Sequence, residues 1–399
     1  MSLAARAGLP YNRRKSLIQM QRGGAPMHLQ GQLDPRQLAL QRRRSGIQPT
    51  EITMGVSNWK AKHKQDEAKK QEEREKDLTL TVVDDRLSEA SVSDMSSDED
   101  WDDEDFDDED TGCLAYLAAC QEYRVAPISQ VLNFFHRETL CIGHYGIGMR
   151  GMEPLAAALR LNKTLKDLHL SDNNLMEEGT SCLCDAIEGN ARIRTLDLSF
   201  NKIGIRGARC IAKLLSKASG NKLVDVRIDN NGLYDRDVYA LVGEVGLNRT
   251  LKSLNLSNNS IMDKGAAALA GALETNGTLT DLDISWNSIR TKGSTAMYRA
   301  LGSCTLRRLN LSWCGLNDEG LEELAEVLPT CWLEDLDLSG NAITVDGACV
   351  LADALPGSKL TRLSLDRTNI GQDGVLTIKD VMAEGSSRLV AFSHEHASG

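Results

Sequence analysis

Residues 165–175 read LKDLHLSDNNL, and the same phrase returns as LKSLNLSNNSI at residues 251–261 and as LTDLDISWNSI at residues 279–289. With its less regular copies, the phrase begins nine times at intervals of 27 to 30 residues, at Arg137, Leu165, Ile193, Leu223, Leu251, Leu279, Leu306, Leu333 and Leu360. Self-similarity with a period of roughly 20–50 residues predicts a chain that stacks one small structural repeat many times.

Each repeat contains two different hydrophobic periods. The alternation of Leu168 and Leu170 places both side chains on one face of a strand, and the spacing of Gly265, Leu269 and Leu273 gives one apolar stripe on a helix. One repeat cannot bury both surfaces alone, so neighbouring repeats must stack. The sequence therefore predicts an α/β leucine-rich repeat solenoid over residues 137–387, a horseshoe with a parallel inner sheet and outer helices.

An asparagine stands where the chain leaves most of the predicted strands. Its amide can bond backbone groups that no sheet or helix satisfies, and an unsatisfied buried group costs about 1–3 kcal/mol. We expect an internal structural column made of Asn173, Asn201, Asn231, Asn259, Asn287, Cys314 and Asn341. A second set falls at helix ends, where we expect the left-handed conformation that closes a helix: Asn162, Asn190, Asn248 and Asn276.

The part of the chain that precedes the repeats is divided by charge. Residues 1–60 hold ten Lys and Arg against two acids, which predicts a basic disordered arm. Residues 61–93 are densely charged and are expected to be partly helical or disordered. Residues 94–111 hold twelve acids and no base, and they predict an acidic disordered run that outweighs the net charge of −11. This run is either a solubilising spacer or, through Trp101 and Phe106, a short acidic-aromatic motif that docks on a basic partner or on the basic arm of this chain.

Apolar segments adjoin the repeats at both ends. Residues 112–136 predict a helical N-terminal cap, with an apolar face through Leu114, Leu117 and Ala118. Residues 388–399 predict a C-terminal tail, whose apolar residues 389–392 would cover the edge of the sheet. Ser91, Ser96 and Ser97 each have an acid three residues downstream, so they are candidate phosphorylation sites.

Several classes of protein are not indicated by the sequence. The ten cysteines form no CxxC pair, which favours reduced thiols over disulfides or a metal site. Neither a secretion signal, a lipidation signal nor an apolar run of membrane-spanning length is visible. No phosphate-binding loop or nucleophile pattern occurs. We therefore expect a cytoplasmic protein with no catalytic residue, cofactor, metal or membrane contact.

The strand residues beside the core leucines point into the hollow of the horseshoe and predict its binding surface. The charged side chains in two such columns are mainly carboxylates, relieved by arginines, so we expect a protein partner with a basic surface and no nucleic acid. A third column, at the strand ends, holds Trp286 and Trp313 in adjacent repeats, with rings expected about 5 Å apart. These indoles either contact the partner or pack on the ascending loop. The predicted partner-binding residues are Asp197, Phe200, Asp225, Arg227, Asp281, Asp283, Trp286, Arg308, Trp313, Asp335 and Asp337.

Repeats of 27 to 30 residues with an outer helix resemble the ribonuclease-inhibitor class of leucine-rich repeats. Residues 126–129 (APIS), the acidic run from Trp101 and residues 279–287 (LTDLDISWN) are also similar to the leucine-rich-repeat-containing protein 74 family. This resemblance implies a horseshoe fold and a non-enzymatic interaction scaffold.

Function is thus expected to be partner binding on the concave face by a monomer. One alternative is a cytoskeletal or ciliary structural component that uses the basic arm to contact an acidic filament surface. Another is a GTPase-activating protein of the Ran GTPase-activating type, in which the repeats would orient the catalytic groups of the GTPase.

Overall fold

The structure is a computed structural model that describes residues 111–395. The described residues all belong to one compact unit. The predicted basic arm, charged segment and candidate phosphorylation sites lie outside the described residues, as does the acidic run except for Thr111.

Short strands and helices alternate along the described chain. The strands are β1 (Thr139–Cys141), β2 (Asp167–His169), β3 (Thr195–Asp197), β4 (Asp225–Arg227), β5 (Ser253–Asn255), β6 (Asp281–Asp283), β7 (Arg308–Asn310), β8 (Asp335–Asp337), β9 (Arg362–Ser364) and β10 (Ala391–Ser393). The helices are α1 (Cys113–Tyr123), α2 (Ser129–Phe134), α3 (Gly148–Leu159), α4 (Met176–Ile187), α5 (Gly204–Leu215), α6 (Asp235–Leu247), α7 (Asp263–Thr275), α8 (Arg290–Leu301), α9 (Leu321–Val327), α10 (Val345–Ala354) and α11 (Gly371–Ala383).

All ten strands form one parallel sheet in chain order. The register places equivalent residues side by side, so that Leu168 pairs with Leu196 and Leu254 pairs with Leu282. Each of these central residues is at most 2% exposed and faces the helices, where one continuous hydrophobic core runs along the solenoid. The predicted fold, an α/β leucine-rich repeat solenoid with a parallel inner sheet and outer helices, is confirmed.

The Asn column lies directly behind the strand ends. Asn201 is fully buried, and its Nδ2 donates to the carbonyl of Leu170 in the preceding repeat at 2.8 Å. Its Oδ1 accepts from the backbone N–H groups of Asn173 and Leu175, at 3.0 and 3.3 Å. Cys314 keeps only part of this pattern, because its thiol reaches the carbonyl of Ile284 at 3.3 Å. The column therefore ties each turn of backbone to its neighbour.

The second set of asparagines forms another ladder, and the expectation of a left-handed conformation is wrong there. Asn248 ends α6 with φ −65° and ψ 146°, an extended conformation. Its Nδ2 donates to the carbonyl of Leu215, at the end of the preceding helix, at 2.7 Å. Its Oδ1 accepts from the N–H of Leu251 at 2.7 Å. A side chain that bonds the neighbouring helix end and the following loop satisfies both without a left-handed residue.

Within the N-terminal cap, helix α1 buries a different face from the one expected, whereas the expected residues Val131 and Phe135 further along the cap are fully buried. Helix α1 buries Tyr116, Ala119 and Cys120, whereas Leu114 is 63% exposed. The buried residues follow the same helical spacing as the predicted ones, but their stripe is displaced by two positions. Two positions correspond to about 200° around a helix, so the predicted face lies on the opposite side.

The predicted C-terminal tail contains a tenth strand. Leu389 is 6% exposed, and β10 pairs with β9 in parallel through residues 391–393. The apolar segment therefore extends the sheet and itself becomes its last strand.

Candidate functional site

A groove with a volume of about 520 Å³ lies on the concave face, and β4 to β9 all contribute to it. Its lining includes six of the predicted site residues, Arg227, Asp281, Asp283, Arg308, Asp335 and Asp337. Asp197 and Asp225 lie on β3 and β4 outside this lining, and the three aromatic residues lie at the strand ends. Arg362 of β9 also lines the groove and is absent from the predicted set.

One column of the groove carries alternating charge along four successive strands. Arg308 forms an ion pair with Asp281, and Arg362 pairs with Asp335 at 2.7 Å. On β4, Asp225 and Arg227 pair at 3.0 Å, and this contact raises the pKa of the guanidinium. The expected acidic wall is therefore partly neutralised, because each of these carboxylates has an arginine beside it.

The other column uses its carboxylates to shape the backbone. Asp197, Asp283 and Asp337 each accept the backbone N–H of the serine two residues later, at 2.9, 3.0 and 2.9 Å. One oxygen of each carboxylate thus fixes the turn at the end of its strand. The second oxygen of Asp283 accepts from Asn310 on the next strand at 3.2 Å. These residues have a structural role in addition to facing the hollow.

The two tryptophans stack at the strand-end rim. Their ring centroids are 4.7 Å apart and their planes differ by 17°, in agreement with the expected spacing of about 5 Å. The Trp313 ring lies over Gly340 of the next repeat, where an added Cβ would come within 2.3 Å of the indole. Trp286 is the outer member of the stack and is 54% exposed. Packing thus accounts for Trp313, while Trp286 presents an indole surface to solvent.

An unexpected backbone feature underlies this rim. The strand-end residue of every repeat has a positive φ, including Phe200 at 60°, Trp286 at 54° and Trp313 at 55°. At each of these positions the side chain points outward, and the backbone N–H donates to a carbonyl of the next repeat. The N–H of Trp286, for example, donates to the carbonyl of Ser312 at 2.9 Å. A left-handed backbone conformation is unfavourable for most residues other than Gly, Asn and Asp. The residues in this column are therefore held outward by the solenoid.

A second exposed tryptophan lies near the opposite ends of the strands. Trp332 precedes β8 and is 52% exposed. The Lys359 ammonium lies 3.5 Å from the centroid of its ring. Trp332 directly precedes Leu333, the first leucine of its repeat, and none of the predicted columns includes that position.

The Cys314 thiol of the Asn column is buried and chemically inert. Burial raises the pKa of the Cys314 thiol to about 12, which keeps it protonated and unreactive. Within residues 111–395, no group of three or more His, Cys, Asp or Glu side chains could hold a metal ion. No helix in this part of the chain is long and apolar enough to cross a membrane.

A family model for the leucine-rich repeat matches six segments, residues 161–184, 189–212, 247–270, 275–297, 302–325 and 331–352. Leiomodin-1 actin-binding site 2 is 23% identical, covering 38% of this chain and 88% of its own, with a TM-score of 0.31. The TLR13–ssRNA13 complex is 19% identical, covering 61% and 34%, with a TM-score of 0.39. The Rad7 and Elc1 complex in yeast is 18% identical, covering 82% of each chain, with a TM-score of 0.44. Similarity at this level says nothing about the partners of this chain. The six matched segments and the ten-stranded parallel sheet show that the described part of the chain is a leucine-rich repeat solenoid.

Proposed function

We propose that this protein is an interaction scaffold that binds a protein partner along its concave groove as a monomer and performs no chemistry itself. The observation that supports this most is the exposed face of Trp286, which lies three residues after β6, the strand whose own residues line the groove. Tryptophan is over-represented among residues that dominate binding energy. An indole held outward by a left-handed backbone next to a polar groove suits a partner contact.

The dimensions of the groove suit an extended segment. Six strands at a spacing of about 4.8 Å give a length of about 24 Å, which matches about seven residues of extended chain at roughly 3.3 Å each. The lining is polar and charged, with side chains from successive repeats. A surface of this kind can read a series of side chains from a partner.

The charges indicate the chemistry of that segment. The alternating column carries little net charge, because its arginines and carboxylates form ion pairs with each other. Asp283 and Asp337 lie on alternate strands in the other column, which carries no arginine between them. Two strand spacings separate them by about 10 Å. We therefore propose a partner segment with two basic side chains at that separation, flanked by an apolar or aromatic residue for Trp286.

The test compares two tryptophans of equal exposure. Full-length protein is used to capture partners from native cells, and Trp286→Ala is compared with Trp332→Ala, which removes an equally exposed indole away from the groove. We expect Trp286→Ala and Asp283→Lys with Asp337→Lys to weaken the captured complex at least about tenfold, while Trp332→Ala leaves it unchanged. Equal capture by all variants, with unchanged melting curves, would contradict binding in the groove.

A further inference from the structure

Basic side chains line one rim of the solenoid, on the four loops that lead from a helix into β2, β3, β4 and β5. We call this set the basic rim, and all its members are exposed: Arg160, Lys163, Lys166, Arg192, Arg194, Lys217, Lys222, Arg249 and Lys252. The same loops contain one acid, Glu188, which pairs with Lys213 of α5 at 2.6 Å. The concave groove is a different surface, lined by strand residues.

Backbone hydrogen bonds stack these loops in register. The N–H of Arg194 donates to the carbonyl of Lys166 at 2.7 Å, and the N–H of Val224 donates to the carbonyl of Arg194 at 2.7 Å. The N–H of Lys252 continues the series to the carbonyl of Val224 at 2.8 Å. The loops therefore follow one another at strand spacing, and the rim extends over about 14 Å where it adjoins the sheet.

Few of these cations are neutralised within the described chain. Lys166 forms an ion pair with Glu138. Arg160, Arg192, Lys222 and Lys252 have no carboxylate partner among residues 111–395. Clustered charges of one sign create a potential of several kT, which attracts ions and segments of opposite sign.

The chain enters the solenoid at this rim. The carbonyl of Thr111 accepts a hydrogen bond from Nδ2 of Asn162 at 2.9 Å, in the loop that also carries Arg160 and Lys163. Gly112 follows with φ 78°, packed so closely that an added Cβ would lie 2.6 Å from the carbonyl oxygen of Ala158. Position 111 is thus fixed beside the first loop of the basic rim.

The residues immediately before this point are almost all acidic. Residues 102–110 read DDEDFDDED, with eight acids in nine positions. Nine residues can span at most about 30 Å, which exceeds the length of the rim. A tethered segment of this kind also acts at an effective concentration on the order of millimolar.

We propose that residues 102–110 bind the basic rim of the same chain. The segment neutralises the rim and withholds it from other polyanions, while the concave groove stays open to its own partner. Because the contact is electrostatic and lies on an exposed surface, it weakens once the salt concentration shortens the Debye length from about 8 Å toward 3 Å.

The contact can be tested by zero-length carbodiimide coupling of carboxylates to lysine ammonium groups in the full-length protein. Peptide mapping should show isopeptide bonds from residues 102–110 to Lys166, Lys222 and Lys252. The exposed lysines of the opposite rim, Lys202 and Lys264, are internal controls and should not couple. We expect coupling to fall at least about fivefold in 1 M NaCl, because salt at that concentration screens exposed pairs.

Matched variants and an isotope mixture make the outcome decisive. Lys222→Arg with Lys252→Arg keeps the charge but removes the reactive amine, so these two crosslinks should vanish while the one to Lys166 persists. A mixture of ¹⁴N and ¹⁵N protein should give crosslinks within single chains. Coupling only between chains, only to lysines of residues 1–76, or equally to the opposite rim would overturn the proposal.

Discussion

Replacing Asn201 by alanine would remove one step of the Asn column from the middle of a fully buried region. The side chain loses its bonds to the Leu170 carbonyl and to the N–H groups of Asn173 and Leu175. The Ser199 carbonyl, which Asn201 also contacts, keeps the N–H of Asp172 at 2.9 Å. Three buried backbone groups therefore lose their hydrogen-bond partners. At about 1–3 kcal/mol for each, we expect the free energy of unfolding to fall by about 3–9 kcal/mol.

Urea unfolding followed by circular dichroism measures this loss. Asn133→Ala is the matched control, because Asn133 is exposed on α2, and its replacement should change the stability by less than about 0.5 kcal/mol. Asn201→Asp separates the two functions of the amide, since it keeps the acceptor for both N–H groups but places a carboxylate against the Leu170 carbonyl. A loss below about 1 kcal/mol for Asn201→Ala would refute the reasoning, because the orphaned groups would then have found other partners.

Three further changes test neighbouring features of the solenoid. Gly340→Ala should lower the free energy of unfolding by about 1–3 kcal/mol, because φ is 68° and the new Cβ meets Trp313. It should also alter the near-ultraviolet circular dichroism of the indole stack, and an unchanged spectrum would argue against the stack. Cys314→Asn should stabilise the protein by about 1 kcal/mol, measured by urea unfolding, because the amide supplies the acceptor that the thiol lacks; a loss of stability would contradict this. Stability should also fall as the pH rises above about 9. The reason is that burial raises the thiol pKa of Cys182 from 9.0 to about 11 and that of Cys314 from 9.0 to about 12. The unfolded thiols lose their protons first, so this contribution is complete below pH 9 and is lost toward pH 12. Replacing both cysteines by alanine should weaken the dependence but not abolish it, because burial also raises the pKa of other thiols, such as Cys184.

The sequence predicted the elements that repeat, because the repeat is a local pattern. Leu168 and Leu170 alternate within three residues, and this alternation alone assigns the buried and concave faces of β2. The same register then placed Trp286 beside Trp313 at the observed spacing. Position along a repeat is therefore sufficient to predict which side chains share a column.

Contacts between repeats were predicted less well, because they depend on distances that a single repeat does not contain. Asp281 and Arg308 are 27 residues apart, and their ion pair follows only from the stacking of β6 on β7. The conformation of Asn248 likewise depends on the carbonyl of Leu215 in the preceding helix. The buried face of α1 was misassigned because two stripes of the same spacing compete in its sequence, and only packing on the first repeat selects between them.

The positive φ angles of the strand-end column bear on why Trp286 occupies its position. A left-handed backbone costs an L-residue such as tryptophan roughly 1–2 kcal/mol, and Gly340 shows that the same column accepts the residue for which this cost is absent. Stacking between Trp313 and the backbone of Gly340 offsets the cost for Trp313. Trp286 gains only one ring face from the stack, and half of its surface stays in water. We propose that a partner contact offsets the remaining cost of the left-handed backbone at Trp286, and Trp286→Ala would remove that contact.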